Sequence, residues 1–294
     1  MSAGVWVIIL SCLFASSIEP ILVKLGFLNG VAPLLLIVCR TAFAGALVAM
    51  LNIKKLPRLV TWEQYKKIFP LAFLLLTTNS LMIFALIYSN PSLVVTIIKL
   101  TPIGVGIGTY FTGKERVDAY FWLGLFCSLL GISLTIDVQL SVDSVANVKG
   151  IALSFLAVLS STVYRILLGR HTQTIKPGTI SSCIFISNGI IALGFLPFLY
   201  RDMNLQLLTM SAWTGSAAIC ANVAFIYAVK HVGAARMSVI DLLQRPLVII
   251  LSMLILGELV SIKPILGLIL VVLGVYLANV YRRRGHILNM EKVS

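Results

Sequence analysis

Five charged side chains lie deep inside apolar stretches of this sequence, and they are the residues best able to do chemistry. They are Glu19, Arg40, Lys99, Asp241 and Arg245. An ionised side chain at the centre of a bilayer costs at least about 2.5 kcal/mol, so such groups pair with one another or mark a ligand path. Three cations against two anions predict a positive interior, which favours a ligand that carries a carboxylate or another anionic group.

Each carboxylate can also complement an amino group, so an amino acid or an amino-acid derivative fits the five charges best. Asp241 and Arg245 are four residues apart, share one helix face and can instead pair with each other. Glu19 can pair with Arg40 or Lys99, hold a ligand ammonium group or carry a proton. The sequence leaves these alternatives open.

Two further charges, Lys24 and Arg165, are left out of the predicted site. Lys24 lies near the outer end of the first apolar segment, and Arg165 near the inner end of the sixth. Long cationic side chains at such positions can extend to the lipid headgroups. Arg40 itself also fits a packing role inside the bundle.

Three prolines stand beside the deep charges and predict hinges. Pro20 follows Glu19, Pro102 follows Lys99 by three residues, and Pro246 follows Arg245. Proline lacks the N–H group and frees a backbone carbonyl one turn earlier. Interrupted helices in a membrane occur where the exposed backbone lines a cavity, so we expect the binding site at these points.

Uncharged polar residues within the apolar segments are secondary candidates. The predicted substrate-binding set adds Asn79, Tyr164 and Asn222, with Asn188 and Tyr227 as weaker candidates. Each is also explained by hydrogen bonding between helices or by aromatic packing.

Several kinds of chemistry have no motif in this chain. The five cysteines are scattered and form no CxxC pair, so we expect no metal site, no disulfide framework and no cofactor. A GxxxxGK[ST] loop is absent, which argues against ATP-driven work, and no HExxH or nucleophile–base set suggests an enzyme.

The composition places the whole chain in the membrane. It is 59% hydrophobic and 11% charged, with a mean hydropathy of +1.03, whereas soluble domains carry about 25% charged residues. Segments of about 20 apolar residues can span a bilayer. Ten are predicted, at 5–27, 31–52, 68–89, 91–111, 119–137, 149–169, 178–200, 208–229, 235–257 and 263–282. The first lacks a basic start and a cleavage site, so we interpret it as a retained helix.

The chain repeats itself at an offset of 144 or 143 residues. Pro102 matches Pro246 and Gly113 matches Gly257; after one dropped residue, Glu115, Gly124, Gly131 and Leu134 match Glu258, Gly267, Gly274 and Leu277. Five helices per copy is an odd number, so the two copies cross the membrane in opposite senses. The predicted fold is therefore an all-α integral membrane protein with ten transmembrane helices in two inverted five-helix repeats.

The predicted boundaries follow from this repeat. The first copy is 1–137, the linker 138–148, the second copy 149–283 and the cytoplasmic tail 284–294. Glu115 and Glu258 precede helices and are interpreted as charges that stabilise helix N-termini.

The charges between the segments predict the orientation. The net charge is +13, and with the N-terminus inside, fifteen Lys and Arg residues fall on the cytoplasmic side against Lys149, Arg201 and Lys263 outside. This bias places both termini in the cytoplasm and the protein in the plasma (inner) membrane. The basic surface is thus explained without a nucleic-acid partner.

Small residues recur on the last helix of each copy. Gly124 and Gly131, and likewise Gly267 and Gly274, lie two turns apart on one face. Close backbone approach drives helix association in lipid. These faces can pack inside the bundle or across a homodimer.

The ends of the two copies resemble the drug/metabolite transporter superfamily, of the EamA-like type. The matching segments are TPIGVGIGTYFTGKERV with GLFCSLLGISL, and RPLVIILSMLILGELVSIKPILGLILVVLGVYL. Arg40, in CRTAFAGALV, also stands where the second helix of that family often has arginine. The resemblance implies a polytopic inner-membrane carrier of small metabolites, often amino acids or related compounds.

Together these features predict a secondary transporter that moves a small polar metabolite through the lipid bilayer by alternating access. An amino acid or amino-acid derivative is the expected substrate, with possible proton coupling through Glu19 or Asp241. The alternative is another metabolite, such as a nucleoside-like cofactor, a vitamin or a drug. A scaffold without transport activity is disfavoured because it has no need for deep charges.

Overall fold

The computed structural model describes residues 3–28, 30–52, 60–88, 94, 97–112, 118–134, 145–199, 204–256 and 262–290. In the first half the helices are α1 (Ala3–Leu28), α2 (Pro33–Leu51), α3 (Trp62–Tyr88), α4 (Thr101–Phe111) and α5 (Ala119–Leu134). In the second half they are α6 (Val145–His171), α7 (Pro177–Leu199), α8 (Leu205–Val232), α9 (Ala234–Ile240), α10 (Gln244–Leu256) and α11 (Ile262–Met290).

The all-α prediction is confirmed, and the ninth predicted helix contains an interruption. A 3-10 turn, Asp241–Leu243, separates α9 from α10. Among the described residues, five helices are long and apolar enough to cross a membrane, within Gly4–Val23, Pro33–Leu51, Val148–His171, Pro177–Phe198 and Leu205–Val232. Shorter apolar helices cover Ala119–Leu134 and Ile265–Asn279. Helix α11 continues through Met290, into the segment predicted as the tail. Glu115, Glu258, Gly113 and Gly257 lie outside the described residues.

Equivalent helices of the two halves begin in the same way. Pro33 starts α2, and Pro177, 144 residues further on, starts α7. Proline is favoured in the first helical turn, where its fixed φ suits the helix and its missing N–H removes no hydrogen bond. The repeat therefore extends beyond the two motifs at the ends of the copies.

The halves interlock through pairs of helices that obey a pseudo-two-fold relation. Helix α2 packs against its equivalent α7, and α5 packs against its equivalent α11. Other large contacts occur in symmetry-related pairs. Helix α1 packs on α8, and the equivalent contact is that of α6 with α3. Helix α1 also packs on α10, and the equivalent contact is that of α6 with α4. Every one of these contacts joins one half to the other, as the inverted-repeat fold requires.

Glycines allow the equivalent helices to approach closely. A Cβ added at Gly45 would lie 2.5 Å from the Cα of Gly189, and these glycines are 144 residues apart in the chain. A Cβ at Gly131 would lie 2.6 Å from the carbonyl oxygen of Gly267, and one at Gly124 would lie 2.5 Å from the backbone nitrogen of Ala278. The glycine faces of the last helix in each half therefore pack against each other within the chain.

The Gly131→Ala substitution is expected to destabilise the protein, because the new methyl group meets backbone atoms that cannot rotate away. Overpacking of this kind costs about 1–3 kcal/mol. Thermal unfolding of the detergent-solubilised protein should show a clearly lower Tm. The matched control is Gly194→Ala on α7, where no atom lies within 4 Å of the added Cβ. Equal melting of the two variants would contradict close packing of α5 on α11.

Candidate functional site

The first deep charge pair joins α1 to α2. Arg40 Nη1 donates to Glu19 Oε1 at 2.5 Å. The two side chains are 16% and 22% exposed, so both are mostly shielded by protein. Of the roles that the sequence allowed for Glu19, the structure therefore shows the ion pair with Arg40. This pair is electrically neutral and leaves neither charge free.

The second pair joins Asp241 to Arg165, and not to Arg245, the partner that the four-residue spacing allowed. Arg165 Nη2 lies 2.9 Å from Asp241 Oδ2, and Nη1 donates to Ser238 Oγ at 3.2 Å. The guanidinium carbon also lies 4.9 Å from the centroid of the Phe225 ring, a cation–π distance. The expectation that Arg165 extends to the headgroups is wrong, because α8, α9 and the 3-10 turn all supply partners.

The 3-10 turn gives the physical reason why Asp241 and Arg245 do not pair in the described structure. A regular α-helix places residues four apart within about 40° of each other. Three residues per turn across Asp241–Leu243 increase that separation to about 100°. The two side chains therefore leave the helix in different directions, which a spacing rule cannot anticipate.

Lys99 takes part in a hydrogen-bonded chain through a residue that the sequence analysis overlooked. Its Nζ donates to Gln244 Oε1 at 3.0 Å, and Gln244 Nε2 donates to the carbonyl oxygen of Ser16 at 2.5 Å. Gln244 thereby links the segment before α4 to the middle of α1. The signal in the sequence was the polar side chain of Gln244 in the segment LLQRPL. It is weaker than the charge of the adjacent Arg245.

The three predicted hinge prolines occupy different positions. Pro20 lies inside the continuous helix α1, whereas Pro102 is the second residue of α4. Pro246 is the third residue of α10, directly after the 3-10 turn. The carbonyl one turn before Pro102, that of Ile98, accepts the Thr101 hydroxyl at 2.6 Å. The chain therefore interrupts its helices beside Lys99 and beside Arg245.

Arg245 is the deep charge whose hydrogen bonding is incomplete. Its Nε atom is buried and has no hydrogen-bond partner among the described residues, and the same holds for the hydroxyl oxygen of Tyr164. Lys99 donates to Gln244, the residue before Arg245, and Asp241 lies three residues before Gln244 and pairs with Arg165, so these four charged groups lie in one region. Three cations and one anion leave this cluster with a formal charge of +2.

None of the hydrogen bonds in the described part of the chain joins a predicted asparagine to the charged cluster. Asn222 donates to the Ala218 carbonyl of its own helix at 3.2 Å. Asn79 is half-buried on α3, next to Thr78, whose hydroxyl lies 2.9 Å from that of Ser160 on α6. Asn188 is buried, and its Oδ1 has no partner in the described part of the chain. The bond of Asn222 within its own helix fits a packing role, and the ligand-binding role of Asn79 stays a prediction.

The positive formal charge of the cluster can attract an anionic group. Lys99 and Arg245 supply donors beside interrupted helices, and partial burial strengthens charge interactions relative to water. Among the described residues no group of three or more His, Cys, Asp or Glu side chains could hold a metal ion. Two interlocked, inverted helical repeats are the architecture of many polytopic membrane carriers.

Comparison with known proteins gives the same class. The pattern of the EamA-like transporter family matches residues 2–136 and 148–280, so the chain belongs to this family. It is 26% identical over 258 residues to an uncharacterized transporter of Archaeoglobus fulgidus, covering 86% of this chain and 90% of that protein. A crystal structure is similar with a TM-score of 0.79 at 14% identity, covering 96% of this chain and 100% of that one, which supports the fold.

The Arg165–Asp241 pair should behave as one energetic unit. Removing one member of a buried ion pair costs up to about 3–5 kcal/mol, because the other charge stays buried, whereas removing both is close to neutral. We expect Asp241→Leu to lower the Tm strongly and Arg165→Leu/Asp241→Leu to recover most of the loss. Thermal unfolding in detergent measures both.

The matched comparison is Arg245→Leu combined with Asp241→Leu. If Asp241 is paired as observed, this double variant recovers much less stability than the one that lacks Arg165. A larger coupling of Asp241 to Arg245 would favour the alternative pairing that the sequence spacing allows.

Proposed function

We propose that this EamA-like transporter is a secondary carrier of a small metabolite with a carboxylate or another anionic group. Lys99 and Arg245 are the residues proposed to bind that group. Substrate exchange across the membrane would follow alternating access of the two repeats around this centre. The proposed location is the plasma (inner) membrane with both termini in the cytoplasm, and no nucleic-acid partner is part of the proposal.

The observation that carries the proposal is the incomplete pairing of Arg245. A guanidinium nitrogen that is buried without a hydrogen-bond partner costs free energy. Lys99, which shares the region, has only the neutral amide oxygen of Gln244 as its side-chain acceptor in the described structure. A carboxylate ligand would supply the missing acceptors and offset the positive charge of the cluster.

The two carboxylates refine the proposal for the substrate. Glu19 is engaged by Arg40 and Asp241 by Arg165, so neither is free to hold a substrate ammonium group. An amino acid, the substrate expected from the charge count, would have to exchange one of these pairs or find backbone acceptors. Because both carboxylates are already paired, a second candidate substrate is favoured: a metabolite that has a carboxylate and no free amine. Proton coupling through Glu19 or Asp241 would likewise require an ion pair to open.

Three related compounds separate these substrates. L-alanine carries both charges, N-acetyl-L-alanine keeps the carboxylate alone, and L-alanine methyl ester keeps the ammonium alone. The same set is made for larger amino acids, and simple carboxylates, nucleosides and vitamins complete the panel. A ligand at 100 times its Kd stabilises the folded state by about 2.7 kcal/mol. We expect thermal shifts from carboxylates, with or without the amine, and none from esters.

The stabilising compound is then used in uptake by proteoliposomes. Lys99→Ala and Arg245→Ala should each lower uptake at least tenfold, because each loses a charge-assisted hydrogen bond of about 1.5–3 kcal/mol to the substrate. The control is Lys66→Ala, which removes a cation whose side chain is 55% exposed and pairs with Glu63 on the surface.

Two results would contradict the proposal. One is uptake at the wild-type rate in both site variants. The other is stabilisation by the methyl esters or by uncharged compounds alone, since an anion site has no reason to prefer them. A response to zwitterions alone would support the amino-acid form of the proposal.

A further inference from the structure

A single carbonyl in the middle of α1 lacks its usual partner. In an α-helix the N–H of residue 20 would donate to the carbonyl of Ser16, four residues earlier. Residue 20 is proline, which has no N–H to give, although α1 continues through it. The Ser16 carbonyl must therefore find a donor outside its own helix backbone, since an unsatisfied one is costly inside a membrane.

Gln244 provides that donor, and its other end holds Lys99. The Nε2 atom lies 2.5 Å from the Ser16 oxygen, and the Oε1 atom lies 3.0 Å from Lys99 Nζ. An amide whose oxygen faces a cation must turn its NH₂ group the opposite way. Lys99 therefore fixes the orientation in which Gln244 can donate to the Ser16 carbonyl of α1.

The contact that is related to this one by the pseudo-two-fold is built differently. There α4 packs on α6, and Gly104 lies so close to Thr162 that an added Cβ would be 2.5 Å from its Oγ1. The residues that match Pro20 and Gln244 at the offset of 144 are Tyr164 and Leu100, so no comparable amide bridge can form. The α1–α10 contact thus contains a breakable polar link where the α4–α6 contact relies on close packing.

We infer that Gln244 is a positioning residue that couples occupancy at Lys99 to the contact between α1 and α10. Because the Lys99 ammonium group has three donors, the step requires an anion that draws it away from Gln244 Oε1. The amide then loses the cation that orients it, and the bond to the Ser16 carbonyl weakens. Helix α1 is then released from the start of α10 while the glycine-packed pairs stay closed. This inference rests on the proposed function only in taking Lys99 as the group that the substrate engages.

Hydrogen–deuterium exchange of the detergent-solubilised full-length protein tests the coupling without any ligand. We compare the wild type with Gln244→Met, Lys99→Met and the double variant, since methionine keeps the length of both side chains but removes their polar atoms. Both single variants should exchange about fivefold faster in the α1 peptide that surrounds Pro20, as expected for the loss of one internal hydrogen bond. The double variant should be no faster than either single one.

Pro20→Ala provides a decisive background for the same measurement. Alanine restores the N–H that satisfies the Ser16 carbonyl within α1, so Gln244→Met and Lys99→Met should no longer change exchange in this peptide. Gln244→Glu separates the two ends of the amide: it keeps an acceptor for Lys99 but has no donor for Ser16. We expect it to accelerate exchange in α1, and the Pro20→Ala background to abolish that effect.

Three results would overturn the inference. They are wild-type exchange of α1 in Lys99→Met, an undiminished effect of Gln244→Met in the Pro20→Ala background, and equal acceleration in α5 and α11, which would indicate general destabilisation. Because no ligand is added, the exchange result stands independently of uptake. If the protein does not transport anions but the exchange coupling is observed, the proposed substrate is contradicted and the positioning role of Gln244 still stands.

Discussion

The absence of water from the bilayer interior is the constraint on which the rest of this structure depends. Each buried polar group has to find its partner within the protein. Arg40 neutralises Glu19, and Arg165 neutralises Asp241 with help from Ser238. Several buried polar atoms have no hydrogen-bond partner in the described part of the chain, among them the Nε atom of Arg245, the hydroxyl oxygen of Tyr164 and the Oδ1 atom of Asn188. Arg245 is the charged residue among them, and it is the group at which we propose that a ligand binds.

The fold combines contacts of two kinds around that interior. Helices α2 and α7, and α5 and α11, meet through glycines whose backbones touch, and such contacts tolerate little movement. The contact of α1 with α10 includes the side-chain amide of Gln244, which donates to the Ser16 carbonyl. In the coupling that we propose, the glycine contacts keep the two halves assembled while the contact of α1 with α10 opens and closes.

Sequence reasoning identified the charged residues but could not assign their partners. Arg165 was set aside because its position near a span end suggested access to headgroups, although α6 continues to His171 and other helices surround the guanidinium. The Asp241–Arg245 pairing assumed an unbroken α-helix, and a 3-10 turn changes the direction of one side chain. Gln244 was overlooked because an uncharged amide carries little signal by itself. Its role depends on a hydrogen bond to the Ser16 carbonyl, which is distant in the chain.

The sequence by itself determined the membrane class, the duplication and the family, because hydropathy, the repeat offset and the motifs are properties of the chain read in order. It also determined that cations outnumber anions among the deep charges. Only the tertiary structure decided which anion neutralises which cation, that the glycine faces meet within one chain, and that Gln244 satisfies the carbonyl freed by Pro20. These outcomes depend on distances between helices far apart in sequence, and such distances are set by packing of the whole bundle.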